Sequence, residues 1–347
     1  MTTVAILFWA GVFLVFYTYL GYGILLWLLV KIREAVHPAR RYAFPADPPE
    51  VTLLIAAYPE VTVLHDPRRG GKTAALNRAL GIIRTPLVVF TDANTMLNPE
   101  AVTEIVRCFE DPAVGCVAGE KRVAGTGDTG AAATEGIYWK YESKLKELDD
   151  RLYSAVGAAG ELFAVRRELW QTLREDTLLD DFVCSMLIAA QGYRIAYCKG
   201  AYALETPSAD MGEEGKRKKR IAAGGLQSVW RLRKLLNPFR YGVLWFQYVS
   251  HRVLRWTLTP VVLVALLPLN VALLWSGHRA LYAATLALQC AFYLAALAGW
   301  ALERGGHRNR LLFIPYYFLF MNLNVFRGAS YLATHRGKGA WEKARRA

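Results

Sequence analysis

The sequence predicts an α/β domain with a mostly parallel, Rossmann-like sheet, carried on membrane-spanning helices. Three observations carry this expectation. Val4 to Val30 contains no charged residue, and about 20 apolar residues at 1.5 Å each suffice to cross a bilayer core. Between Val51 and Ala118 short apolar runs alternate with segments of helical period, the pattern of a sheet whose strands are joined by helices. Two further uncharged runs, Thr257 to Trp275 and Ala280 to Leu302, follow the polar region.

Taken in order, the first run reads as a transmembrane helix over 4–30. A cleaved leader would need basic residues ahead of a shorter apolar stretch, and Met1-Thr2-Thr3 has none, so an anchor is expected. Lys31, Arg33, Arg40 and Arg41 follow it closely, which places the domain over 31–240 on the cytoplasmic side of a cell membrane. An interfacial helix is expected over 241–256. The runs 257–275 and 280–302 then form a hairpin of two spans around Ser276-Gly277-His278-Arg279, giving a multi-pass protein. The last segment, 311–334, carries Pro315, Asn322 and Asn324 and is either transmembrane or re-entrant. A full crossing would put the basic tail, Arg336 to Arg346, outside, which favours a segment that does not cross.

Within the domain, Val51 to Ala57 and Leu87 to Thr91 are buried strands by their unbroken apolar character, and Val114 to Ala118 is another. Lys72 to Ile83 has the apolar spacing of a helix. Asn98-Pro99 has the form of a cap and first helical position for the helix that follows. Gly125 to Gly130 reads as a loop before an amphipathic helix reaching about Arg151. Asp180-Asp181 opens a helical pattern through Ala190 that Gly192 ends. The five cysteines form no CxxC pair and suit reduced packing residues. The net charge is +13, and nine of the positives lie between Lys216 and Arg240 with no acid among them. So close to a span, this stretch is expected to meet lipid headgroups or a sugar-nucleotide diphosphate, and no nucleic-acid partner is expected.

The candidate chemistry sits at the ends of apolar runs. Asp92-Ala93-Asn94 follows a strand directly, at the carboxyl edge where open α/β sheets bind ligands, and its oxygens suit a hard divalent cation that also holds two phosphates. The alternative is a turn stabilised by Asp and Asn side chains. Asp180 and Asp181 supply a carboxylate to take a proton from a hydroxyl, or else a plain helix cap. Gly70-Gly71-Lys72-Thr73 lacks the earlier glycine of a P-loop, since Asp66 stands there, so a P-loop ATPase is excluded. Lys72 at a helix start either meets an anion or is an exposed first-turn lysine. Gln227, Trp230 and Arg231 either close over a diphosphate or sugar, or belong to an amphipathic helix at the interface.

In this order the pieces resemble the membrane-embedded family 2 glycosyltransferases, the group containing hyaluronan, chitin, cellulose and poly-N-acetylglucosamine synthases. The resemblance rests on Val51-Thr52-Leu53-Leu54-Ile55-Ala56-Ala57-Tyr58, on Gly71-Lys72 with Leu76-Asn77, on Asp92-Ala93-Asn94, on Gly160 to Arg166, on Asp180-Asp181 and on Gln227 with Trp230. It implies a GT-A-like domain, a nucleotide-diphosphate sugar donor with a UDP-sugar foremost, and Mg²⁺ or Mn²⁺ held at Asp92 and Asn94. It also implies inverting displacement at the anomeric carbon, with Asp181 as general base beside Asp180. Lys72, Asn77, Asp92, Gly160, Gln227, Trp230 and Arg231 would then bind donor or acceptor. The acceptor implied is a saccharide or a lipid-linked one, met at the membrane face among its lipids.

Two departures from the family stand out. Its Gln-x-x-Arg-Trp appears here as Gln227-Ser228-Val229-Trp230-Arg231, with the aromatic and basic residues exchanged. After Tyr58 the family continues with a helix and a second strand ending in a base-holding aspartate, whereas here Pro59-Glu60 leads at once into Val61-Thr62-Val63-Leu64, too short for a parallel crossover. The chain therefore has the look of an internal deletion at 58–61. The first rival to a transferase is a catalytically inactive truncated relative acting as a membrane scaffold. A transporter, the second rival, would need ionisable residues within its spans, and 4–30, 257–275 and 280–302 hold none.

Overall fold

The computed structural model describes residues 2–40, 42–55, 70–123, 131–206, 210–307 and 309–335, with backbone alone for 131–138. The expected break after Tyr58, the Gly125 to Gly130 loop and the tail from Arg336 lie outside these residues. The chain opens with α1 (Thr2–Val36), whose ladder loosens into a π turn at Tyr17–Gly21. The elements that follow are β1 (Val51–Ile55), α2 (Gly71–Ile82), β2 (Leu87–Thr91), β3 (Thr95–Leu97), α3 (Ala101–Cys108) and β4 (Val114–Val123). Next come α4 (Ala131–Leu152), β5 (Leu162–Arg166), α5 (Asp180–Ala190), β6 (Arg194–Glu205) and α6 (Met211–Arg231). The chain then runs through α7 (Pro238–Trp256), α8 (Leu258–Leu273), α9 (Arg279–Arg304) and α10 (Arg310–Thr334).

The six strands form one sheet in the order β1-β2-β5-β4-β6-β3. The expected mostly parallel sheet is mixed instead: β1 with β2 and β4 with β6 run parallel, while β5 lies antiparallel to both β2 and β4, and β3 antiparallel to β6. An apolar run shows that a strand is buried but not which way it runs, and α4 returns the chain so that β5 enters between two existing strands in reverse. Side chains alternate across the sheet. Val88 and Phe90 meet Leu76, Leu80, Phe163 and Met186 on one face, and Leu87 and Val89 meet Ile105, Val106 and Leu162 on the other.

The helix after β3 begins at Ala101, and the expected cap at Asn98 is not made. Asn98 instead ties β3 to β6, accepting from the Tyr202 N–H at 2.8 Å and donating to the Gly200 carbonyl at 3.0 Å. Gly192 does end α5, with φ +100°. At the sheet's outer edge, Leu53 is 42% and Ile55 37% exposed.

Two of the helices are long and apolar enough to cross a membrane, α1 and α9; α7 with α8, bent by 53°, passes the same test only as a pair. α10 does not reach that apolarity. Its Gly328 approaches so closely that an added Cβ would lie 2.6 Å from the Ala223 nitrogen of α6. The basic stretch at the start of α6 is largely spent inside the fold: Lys216 pairs with Glu213 at 2.8 Å, and Arg217 and Lys218 both lie 3.4 Å from buried Glu214, which also accepts from the Tyr317 hydroxyl of α10. The segment expected as an interfacial helix has two sides. In α7, Phe239 is 99% exposed, while Gln247, Tyr248 and His251 are fully buried against the domain.

Candidate active site

Asp92 stands at the end of β2, and Lys72 lies in the first turn of α2, where Gly71 takes a φ of +82° that a side chain would resist. Lys72 Nζ donates to Asp92 Oδ1 at 2.8 Å and lies 3.7 Å from Asp180 Oδ2. A Cβ added at Gly160 would meet Asp181 Oδ2 at 3.3 Å and Lys72 Nζ at 3.5 Å. The structure therefore brings Lys72, Asp92, Gly160, Asp180 and Asp181 to one place. Neither aspartate serves as a helix cap, because the cap of α5 is Leu179 and it makes no side-chain bond.

The charges in this cluster act on one another. Burial opposes the Lys72 charge, but Asp180 and Asp92 outweigh it and hold the ammonium above the usual lysine value. Burial and the neighbouring Asp180 push the Asp181 carboxyl up to about 6, with Lys72 pulling the other way. A base in that range is ionised at neutral pH and still has appreciable proton affinity. Asp180 Oδ2 is buried without a hydrogen-bond partner among the described residues.

The acidic surplus and the part-exposed Asp92 carboxylate fit a hard divalent cation in donor chemistry. Among the described residues, no three His, Cys, Asp or Glu groups gather around one metal position, so Asp92 would be joined by substrate phosphates and water, the usual arrangement for Mg²⁺. Asn94, two residues after Asp92, donates from its Nδ2 to Glu205 Oε1 at 3.2 Å, an attachment that its place in the sequence does not reveal.

Three residues expected to touch substrate hold the loop that leads into Asp180. Both polar ends of Asn77 are bound to the main chain of Leu173, at 2.7 and 3.0 Å. Gln227 accepts from the Leu178 N–H at 3.0 Å and donates to the Asp176 carbonyl at 2.9 Å. Arg231 donates to Asp176 Oδ1 at 2.7 Å and to Thr177 Oγ1 at 2.5 Å. Trp230 is 71% exposed beside Arg233 and lines a cleft of about 300 Å³ that includes Thr172, Leu173 and Arg174 but none of the residues gathered at Gly160. The exchange of Trp and Arg in the motif thus has a geometric counterpart: arginine faces the loop and tryptophan faces out.

Other polar groups near the site were not singled out by the sequence. Buried Lys121 pairs with both Glu161 and Glu205, which joins the residue after Gly160 to the partner of Asn94. Lysine and glutamate at the ends of otherwise apolar strands were the available signal. Between α4, α7 and α1 lies a second knot. His251 Nδ1 is 2.5 Å from Asp149 Oδ2 and its Nε2 is 2.9 Å from Glu142 Oε1; Arg252 and Arg255 also pair with Glu142, and Tyr22 donates to Asp149. Nothing in helical spacing announces that these six groups meet.

Residues 51–224 match the profile of glycosyltransferase like family 2. In structure, the chain is similar to the mannosyltransferase PcManGT from Pyrobaculum calidifontis, solved with GDP-Man and Mn²⁺. The TM-score is 0.67 over 94% of this chain and 98% of that one, at 18% identity, so the two share a GT-A-like fold. A partial overlap is found with GalNAc-T7 in complex with UDP, GalNAc and Mn²⁺, with TM-score 0.31, 17% identity and coverage of 41% of this chain and 31% of that one. Another is with mannosyl-3-phosphoglycerate synthase from Rubrobacter xylanophilus, with TM-score 0.28, 22% identity and coverage of 48% and 52%. No curated protein matches the sequence.

Proposed function

The chain belongs to glycosyltransferase like family 2, and from that premise we propose that it transfers a sugar, with inversion, from a nucleotide-diphosphate sugar to a saccharide or lipid-linked acceptor at the cytoplasmic face of a membrane. The observation that supports this is the meeting of Lys72, Asp92, Asp180 and Asp181 above the bare Gly160. A divalent cation bound at Asp92 would supply charge compensation for the departing diphosphate.

The chain's own residues do the remainder. Asp181 takes the proton of the acceptor hydroxyl. The acceptor oxygen forms its bond to the anomeric carbon as the bond from that carbon to the diphosphate breaks, and the electron pair leaves with the nucleoside diphosphate. Lys72 adds a fixed positive charge at the diphosphate side. Gly160 keeps space open between base and lysine, and Asn77, Gln227 and Arg231 hold the loop that aims Asp180 and Asp181.

Membrane attachment through α1 and α9 is part of this proposal, supported by their length and apolarity. The test is a radiolabelled donor screen on membranes with Mn²⁺ or Mg²⁺, taking UDP-sugars together with GDP-mannose, since the similar mannosyltransferase was solved with GDP-Man. Turnover lost in Asp181→Asn is the expected result; unchanged turnover sinks the mechanism. One observation favours a second reading, an inactive scaffold: the exposed Leu53 and Ile55 lie where a missing nucleoside-binding unit would cover the sheet. Calorimetry that finds no binding of either donor class with Mn²⁺ selects that reading.

A further inference from the structure

The turn from α6 into α7 carries Arg231, Arg233, Lys234 and Arg240 with no acid among residues 231–240. Leu232 and Leu235 are buried in the core with Leu244 and Tyr248, which turns Arg233, Lys234 and Leu236 outward. Asn237 then caps α7, its side chain accepting from the Phe239 and Arg240 N–H groups at 3.0 and 3.2 Å, so the turn is held from both sides. Trp230, Leu236 and Phe239 are all exposed along it. Among the described residues, no carboxylate pairs with Arg233, Lys234 or Arg240. Exposed aromatic side chains beside unmatched cations are the make-up of a surface at lipid headgroups.

The same turn lines the cleft of about 300 Å³ beside Trp230. Val183 and Leu187 of α5 give this cleft an apolar side, and its charged lining is Arg174, Arg231 and Arg233. Asp176 is shared by two of these, 3.3 Å from Arg174 Nε and 2.7 Å from Arg231. Glu175, the neighbouring acid of that loop, is not among the lining residues. Three guanidinium groups thus face one carboxylate, and that of Arg233 lies 5.1 Å from the ring centre of Trp230.

α7 joins this turn to the apolar helices. Phe246, seven residues after Phe239, packs on Tyr22 with ring centres 5.8 Å apart and meets the cluster that holds Leu26 and Val30 of α1. Those residues belong to the charge-free run from Val4 to Val30, which leaves Ile24, Trp27 and Leu28 exposed.

We propose that the cleft seats the phosphodiester headgroup of an anionic phospholipid of the surrounding bilayer, with Arg174 and Arg233 at the phosphate and Leu236 and Phe239 among the acyl chains. This rests on the membrane attachment in the reading above. The lipid is neither donor nor acceptor, because the cleft contains none of the residues gathered at Gly160. Charge selects the class: a zwitterionic headgroup brings its own cation to the arginines, and an anionic one does not. Arg174 belongs to the loop that leads into Asp180, so the seat joins that loop to the bilayer surface.

The test needs no turnover. The full chain is reconstituted in phosphatidylcholine vesicles containing phosphatidylglycerol, with brominated acyl chains on one lipid or the other. Trp230 emission is read as the difference between each chain and its Trp230→Phe counterpart. Brominated phosphatidylglycerol should quench it selectively and saturably, and Arg233→Gln should raise the half-saturating fraction by about tenfold, the scale of one charge-assisted bond. Arg240→Gln, on the same turn but outside the cleft, should raise it far less. Equal quenching by the two lipids, or an equal effect of Arg240→Gln, overturns the seat. Soluble glycerol phosphate that relieves the quenching at the concentration of the lipid assigns the cleft to a free phosphate and overturns the lipid. Flotation separates the two readings: a chain that does not float with the vesicles refutes attachment and seat together, and one that floats without selective quenching refutes the seat alone.

Discussion

Asp181→Asn is expected to make the folded chain more stable while removing its transfer activity. In the folded protein burial and Asp180 raise the Asp181 carboxyl from 3.8 to about 6, a difference of roughly two units at about 1.4 kcal/mol each. Because the folded value is the higher one, the wild type keeps its full stability below pH 3.8 and loses it as pH rises through about 6. Above that the loss levels off near 3 kcal/mol. Asparagine carries no such cost, so the variant should gain up to about 3 kcal/mol at pH 8 and roughly half as much at pH 5. Lys72 loses an attractive neighbour, which lowers both figures somewhat.

Thermal unfolding of the detergent-solubilised chain reads this out, with a rise on the order of 5–10 °C at pH 8 for a domain of this size. If Asp181 served only the start of α5, the variant would lose a favourable dipole interaction of about 0.3–1 kcal/mol. A variant that melts lower than wild type at pH 8, or whose gain is the same at both pH values, refutes the assignment. In the wild type, kcat/KM should rise with pH through about 6 and then level off.

Arg231→Ala should free the Asp176–Thr177 loop. We expect about 2 kcal/mol of lost stability in urea unfolding, and a fall in kcat larger than any rise in donor KM, because the arginine is bonded to the loop that aims Asp180 and Asp181. Asp92→Ala should abolish the dependence of turnover on Mn²⁺ concentration along with most of the turnover, whereas Asn94→Ala, whose amide is held by Glu205, should leave the half-saturating Mn²⁺ concentration within about twofold. Lys121→Met leaves Glu161 and Glu205 buried without their cation, a loss of about 3–5 kcal/mol at pH 7. In the wild type Lys121 overcomes burial and holds the Glu161 carboxyl below its usual value, so the pair's contribution is present above pH 4.5 and fades as pH falls. Unfolding curves at pH 7 and pH 4.5 should show the smaller difference at the lower pH.

Much of the site was legible along the chain because its parts sit where local pattern ends. Asp92 follows five apolar strand residues, Asp180-Asp181 opens a helix that Gly192 closes, and Lys72 begins another. Each position is set by a boundary that neighbouring residues define. The roles of Asn77, Gln227 and Arg231 were not legible in the same way. All three are polar residues near a ligand edge, but their partners are Leu173, Leu178, Asp176 and Thr177, far away in sequence. A motif states which residue types occur together and not whether they face a substrate or a loop.

The expectation of a mostly parallel sheet and of a cap at Asn98 failed for related reasons. Burial pattern is the same for parallel and antiparallel strands, and an Asn-Pro pair serves a turn between strands as readily as a helix start.

What the amino-acid order determined by itself is part of the set of elements: apolar runs long enough for a bilayer, three of the strands that must be buried, and carboxylates stranded at their ends. These follow from local periods of hydrophobicity and from the few residues that start or stop a helix. Only the tertiary structure decided which charges meet. Lys72 came to lie between Asp92 and Asp180, and Lys121 between Glu161 and Glu205. Pairing between charges depends on distance in space, and a distance that joins residues 72, 92, 160 and 181 is created only when the sheet closes and the helices dock on it.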